Sequence, residues 1–125
     1  MEKKKIESNL APAAIGPYSQ AIMANDFIFV SGQIPVDAKT NTMPLTIEEQ
    51  THQSLNNIKN ILEAAGSNMD KIVKTTVLLT DINNFSKMNE VYASYFTGDA
   101  PARACYQVVA LPKGALIEIE AIAIK

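Results

Sequence analysis

A single domain of mixed strands and helices is what this sequence predicts, on three observations. Short runs rich in β-branched and aromatic residues mark strands, two longer stretches repeat apolar residues at helical spacing, and 125 residues at 47% apolar content suit one compact core. A chain of this size buries roughly two-thirds of the surface its unfolded form exposes, so it needs no disulfide to fold, and any apolar face left over favours self-association. No repeat, low-complexity tract or linker-like stretch interrupts it, so residues 1–125 are read as a single domain in which Gly, Pro and Asn mark turns.

Residues 27–31 form the first clear strand, ending at Gly32, and short pieces near Ile6 and over residues 18–23 can add to its sheet. Thr46-Ile47-Glu48-Glu49 has capping-box spacing: a Thr oxygen for orphan amides and a Glu three residues on. It opens a helix carrying Leu55, Ile58, Ile61 and Leu62 on one stripe, which Gly66 can close. Residues 72–79, rich in Val, Thr and Leu, form a second strand. Phe85, Met88, Tyr92, Tyr95 and Phe96 lie on the stripe of a second helix that starts near Asp81 or Asn84 and stops near Gly98. That stripe is what packing on a sheet requires and is read as core, not as a cofactor box. Residues 103–110 and 116–124 read as a hairpin turning about Leu111-Pro112-Lys113-Gly114.

Chemistry concentrates in this C-terminal third. Side chains two apart on a strand share a face, so Arg103, Cys105 and Gln107 point one way and Ala104, Tyr106 and Val108 the other. Glu118 and Glu120 likewise share a face, roughly 7 Å apart along the strand. If residues 110 and 115 flank the turn as a pair, odd positions of the first strand face even positions of the second, and Arg103 and Cys105 lie with Glu118 and Glu120. A guanidinium, a thiol and carboxylates on one face would make an anion site with a general base. The alternative at this point is an exposed sheet face with surface ion pairs, and one bulge reverses the parity.

Composition excludes several function classes. Cys105 is the only cysteine, so the chain has no internal disulfide and no site built on paired thiolates, and a reducing compartment is the simpler reading. His52, the only histidine, falls on a polar helical face and is read as solvated surface, leaving no His-rich metal site. A net charge of −2 opposes attraction to a polyanion, so nucleic acid is not an expected partner. Lys3, Lys4 and Lys5 are the one basic run, and the segment after it has no continuous apolar core; neither a signal peptide nor a membrane span is expected.

Five blocks stand in order along the chain: Gly16-Pro17-Tyr18-Ser19-Gln20, Ser31-Gly32-Gln33-Ile34-Pro35, Val73-Lys74-Thr75-Thr76-Val77, Pro101-Ala102-Arg103 and Ile117-Glu118-Ile119-Glu120-Ala121-Ile122-Ala123. Together they resemble the signature blocks of the RidA family, also called YjgF-like proteins or L-PSP endoribonucleases. Any one block is weak; all five, at family spacing and over nearly the whole chain, are specific. The resemblance implies a chorismate-mutase-like α+β subunit of the bacillus type, with two helices on one face of a mixed sheet. It also implies a homotrimer around a β-barrel-like centre, with sites in clefts between subunits. The sequence agrees in one respect: Ile117, Ile119, Ile122 and Ile124 put apolar side chains on both faces of a strand, and a two-helix layer covers only one.

The activity the resemblance implies is deamination of 2-aminoacrylate and 2-aminocrotonate, or of their imines 2-iminopropanoate and 2-iminobutanoate, to 2-oxo acids and ammonium, in the cytoplasm and without metal or cofactor. Such a site needs a carboxylate anchor, a held water and proton transfer. Arg103 matches the family's carboxylate clamp, a task suited to a planar fork. Glu118 matches the glutamate that activates water, with Glu120 as the lesser candidate. Cys105, Tyr18, Ser31, Gly32 and Asn89 match residues lining the substrate pocket, Cys105 without being required as a nucleophile. Two departures bear on substrate choice. The segment at residues 97–100 is short, with Ala100 where an aromatic is frequent, and Ala104 replaces a hydroxyl residue common between the Arg and the Cys. Two other functions fit the same residues: a regulatory trimer that binds 2-oxo acids without turnover, and an RNA-cleaving enzyme, which would require a basic groove.

Overall fold

The computed structural model describes residues 2–125. Six strands form one mixed sheet: β1 (Lys3–Ile6), β2 (Ala21–Ala24), β3 (Phe27–Gln33), β4 (Ile72–Leu79), β5 (Ala102–Gln107) and β6 (Ile117–Ile124). Their spatial order is β1-β2-β3-β6-β4-β5. Helix α1 (Ile47–Ala64) connects β3 to β4, and α2 (Phe85–Ala93) connects β4 to β5. All neighbours pair antiparallel except β4 and β5, which are parallel because α2 carries the chain back to the starting end of β4. β3 and β4 are likewise co-directional, and β6 fills the gap between them.

Local chemistry explains both helices. The Thr46 hydroxyl accepts the Glu49 amide at 3.1 Å and lies 3.0 Å from the Glu49 carboxylate, which starts α1 as a capping box predicts. Gly66, at φ 80°, ends it in the left-handed conformation, with the Ser67 amide reaching the Leu62 carbonyl at 2.9 Å. Asp81 caps a 3-10 turn over Ile82–Asn84 that leads into α2. α2 ends at Ala93, short of the Gly98 stop that the aromatic spacing predicts; Tyr95 and Phe96 pack on the core from beyond its end.

The core lies between the two helices and one face of the sheet. Leu55, Ile58, Ile61 and Leu62 of α1 and Met88 of α2 are fully buried against Ile28, Val77, Leu79, Ile117 and Ile119. Amides on α1 fasten adjacent loops: Asn57 donates to the Val36 carbonyl at 3.0 Å, while Gln50 donates to Pro44 and accepts from the Leu116 amide. The other face of the sheet is uncovered and partly apolar, with Phe27 and Phe29 each 45% exposed and Ile124 40%. No helix among the described residues is long and apolar enough to cross a membrane.

The expected hairpin of β5 with β6 is not formed. The two strands are antiparallel, but β4 lies between them and pairs with both. A tight hairpin needs a short turn of defined type; here residues 108–116 span two strand spacings, about 10 Å, with a 3-10 turn over Pro112–Gly114. Inserting β4 reverses the parity of the faces. Arg103 aligns with Thr75 and Ala121, and Tyr106 aligns with Leu78 and Glu118. Residues level with one another share a face, so Arg103 and Cys105 are on the helix side while Glu118 and Glu120 are on the open side. The expected one-face cluster of Arg103, Cys105, Glu118 and Glu120 is therefore split by the sheet.

Candidate active site

The helix-side half is built around Arg103 on edge strand β5. Its guanidinium donates from Nη1 to Asn89 Oδ1 of α2 at 2.7 Å and lies 4.7 Å from the Tyr92 ring centroid and 5.3 Å from that of Phe85. Phe85, Asn89 and Tyr92 are spaced i, i+4, i+7, so one face of α2 presents all three. Gln107, further along β5, accepts the Ile82 amide at 2.9 Å and so ties the start of α2 to the same strand. Among the described residues no carboxylate pairs with Arg103. The result is a half-buried cation held by a neutral amide and two aromatic faces, with hydrogen-bonding capacity left for an external anion. Beside it, burial pushes the Cys105 thiol above its ordinary value and Arg103 only partly offsets this. Cys105 is therefore a protonated, weakly polar wall at neutral pH, not an activated thiolate.

The open-side half is built around Glu118 on β6. β3 gains one extra residue between Val30 and Gln33 relative to β6, and this bulge brings Gly32 against Glu118. A Cβ on Gly32 would stand 2.8 Å from the Glu118 carboxyl carbon and would collide with Oε2, so only glycine leaves room for the carboxylate there. Burial raises the Glu118 pKa above its ordinary value, and the nearby Glu120 charge raises it further. Glu118 lies in a cleft of about 820 Å³ that Ala11, Pro12, Ile15, Tyr18 and Lys113 also line. Tyr18 is 54% exposed at this cleft. The Ser31 hydroxyl is spent on the Ser19 carbonyl at 2.6 Å, so it fixes the turn behind Tyr18. Gln20 is almost fully buried: its amide nitrogen donates to the Ser8, Ala11 and Pro12 carbonyls and its oxygen accepts the Ser8 amide, which holds the loop that walls the cleft.

The expected site residues thus fall into two groups: Arg103, Cys105 and Asn89 on one face, Tyr18, Ser31, Gly32 and Glu118 on the other. Glu120 is exposed and without an ion pair among the described residues; its effect is the charge it places near Glu118. His52 is exposed, with its Nδ1 3.0 Å from the Tyr95 hydroxyl. Among the described residues no group of three or more His, Cys, Asp or Glu side chains could hold a metal ion.

The family model described as endoribonuclease L-PSP matches residues 8–125. A RutC family protein of Pyrococcus horikoshii is 55% identical over 124 residues, covering 98% of each chain. The chain belongs to the RidA family. The rat 2-iminobutanoate/2-iminopropanoate deaminase is 52% identical to it, over 98% of this chain and 90% of that one. A Rid family protein of Yersinia pestis, of unknown function, superposes with a TM-score of 0.97 at 52% identity, covering 99% of this chain and 100% of that one. RidA family membership therefore accounts for the mixed sheet with two helices on one face, and the family contains proteins named for deamination as well as for RNA cleavage.

Tyr92 is in the core as its spacing predicts, but Phe85 is 37% exposed and outside the core, and a core stripe does not anticipate the contact of both rings with Arg103. The signal was present in their spacing around Asn89. Gln20 and Lys113 were also missed as parts of the cleft. Gln20 acts through backbone carbonyls, which no side-chain pattern announces, and Lys113 lines the cleft from a turn in which its own backbone has φ 59°.

Proposed function

We propose that this chain deaminates 2-iminobutanoate and 2-iminopropanoate, and the enamines that tautomerise to them, in a cytoplasmic homotrimer whose sites combine two subunits. The Arg103–Asn89–Cys105 side of one chain meets the Glu118–Gly32–Tyr18 cleft of the next. The observation that carries this reading is Glu118: a partly buried carboxylate with a raised pKa, kept clear by Gly32, in a cleft wide enough for a small acid. The deaminase named among its relatives supports the same reaction. The uncovered face carrying Phe27, Phe29 and Ile124 supports assembly, since packing against a second copy would bury it.

In this reading Arg103 holds the substrate carboxylate through the planar fork, with Asn89 fixing its orientation. The iminium carbon then lies near Glu118 of the neighbouring subunit. Glu118 takes a proton from water as the new O–C bond forms, and the C=N π pair returns to nitrogen to give a carbinolamine. Glu118 next delivers that proton to the amine, the C–N bond breaks with its electron pair on nitrogen, and the carbonyl forms as the hydroxyl proton leaves with ammonia as ammonium. A pKa raised toward the working pH suits a group that must take a proton and give it back.

Complementation tests the composite site. Arg103→Ala and Glu118→Gln are each expected to lose acceleration of 2-oxobutanoate formation from 2-aminocrotonate generated by a threonine dehydratase. Dissociating the two variants, mixing them equally and reassembling them should restore about a quarter of wild-type sites, because one interface in four unites an intact Arg103 with an intact Glu118. No recovery in reassembled mixed trimers rejects the two-subunit site; no acceleration by trimeric wild type rejects the activity.

A further inference from the structure

Arg103 is the only arginine of the chain, and its guanidinium rests on the face of Tyr92. Tyr92 is 4% exposed and its hydroxyl lies 2.7 Å from Thr75 Oγ1, itself 1% exposed. Thr75 belongs to β4, at the position directly level with Arg103 on β5. The three side chains therefore close a loop: β4 holds the tyrosine hydroxyl, the tyrosine ring spans to β5, and the guanidinium lies over the ring. The ring also packs against Phe96, with centroids 4.9 Å apart. A tyrosine held at its hydroxyl and packed against a second ring offers a face to Arg103 at a fixed height. Cation–π attraction sharpens when the partner ring does not move.

We propose that the buried Thr75–Tyr92 hydrogen bond presets the Arg103 guanidinium, making Thr75 and Tyr92 positioning residues for the anion clamp. The inference rests on the proposed role of Arg103 for its functional consequence, but not for its physical content, which is a property of the free protein. A preset cation meets its ligand with less loss of side-chain freedom, so the device acts on substrate affinity and leaves the proton transfers at Glu118 untouched.

The experiment is nitrogen-edited NMR of the single arginine side chain, following rotation of the guanidinium in the assembled protein without substrate. Thr75→Val, Tyr92→Phe and the double variant each remove the hydrogen bond while keeping the shape; the double variant leaves no buried hydroxyl without a partner and guards against loss of folding. Tyr92→Leu removes the ring as well, and Asn89→Ala marks the effect of losing the direct hydrogen bond. All three shape-conserving variants should speed rotation by about threefold or more, Tyr92→Leu by about tenfold, the range a partly desolvated cation–π contact can restrain. KM for 2-aminocrotonate should rise by a similar factor with kcat nearly unchanged. Wild-type rotation rates in the folded double variant overturn the proposal, because a merely structural hydrogen bond would leave them so. Rotation that follows the series while wild type fails to deaminate leaves the positioning intact and removes the deaminase reading instead.

Discussion

Gly32→Ala separates the chemistry of the cleft from the stability of the fold. The new Cβ would stand 2.8 Å from the Glu118 carboxyl carbon, and ordinary contact lies near 3.5 Å, so the carboxyl group must retreat by roughly 0.7 Å. What the methyl meets is the far end of a side chain, which can swing away while the strands stay paired. Gly32 is not among the glycines at positive φ, so alanine adopts its backbone without strain, and the lost freedom of the unfolded chain favours the variant by about 0.4–1 kcal/mol. Tm should therefore stay within a few degrees of wild type. Catalysis should not survive so well: misplacing a reacting group by close to 1 Å costs about 100-fold, or roughly 2.7 kcal/mol of transition-state stabilisation. The assay is kcat/KM for 2-oxobutanoate formation in the dehydratase-coupled reaction, with thermal unfolding measured on the same preparation. Retention of kcat/KM within twofold of wild type would refute the placement of Glu118 as the proton-transfer group, and a collapse in Tm would refute the claim that the glycine serves the site alone.

Other outcomes follow from the same geometry. The Glu118 carboxyl titrates above its ordinary value near 4.5, so the folded chain binds this proton more tightly than the unfolded chain. The stability cost of ionising it is absent below the ordinary value, grows as pH rises toward the raised one, and is complete above it. Glu118→Gln should thus be more stable than wild type at neutral pH and match it in acid, as urea denaturation across that range will read. Arg103→Lys keeps the charge but loses the fork and the flat stacking surface, and should raise KM by about tenfold or more in steady-state kinetics. Gln20→Leu strands the Ser8 amide and three carbonyls of the cleft loop. It should cost about 1–3 kcal/mol by denaturation, with hydrogen exchange speeding up across residues 8–12. If the uncovered face assembles the chain as proposed, Phe29→Asp should leave a monomer by light scattering and abolish turnover together with the assembly.

What the sequence disclosed was what is encoded locally. Thr46 and Glu49 cap α1 because both partners of the contact lie within one turn, and Leu55, Ile58, Ile61 and Leu62 point inward because 3.6-residue periodicity needs no knowledge of the rest of the chain. Strand order is different in kind. Nothing in residues 103–124 states that the strand at residues 72–79 will lie between the two halves of an apparent hairpin, and that one insertion moved Glu118 to the opposite face from Arg103. Tyr18, Ser31, Gly32, Arg103 and Glu118 stand within the five sequence blocks, whereas Asn89 and Cys105 lie outside them. Their division between faces was not legible, and neither was the bulge at Ser31-Gly32, which the register with β6 alone reveals.

The position of β6 has a consequence for how the protein is made. Of the six strands it is the latest along the chain, yet it lies between β3 and β4 and supplies Ile117, Ile119, Ala121 and Ala123 to the core. While residues 117–124 are still within the ribosome, the facing edges of β3 and β4 have no partner and the helices have no complete surface to close on. The nascent chain therefore waits with two sticky edges exposed, the condition under which chaperones engage and in which premature termination is most damaging. Loss of the residues that form β6 would not trim the molecule at its margin; it would open the sheet at its middle.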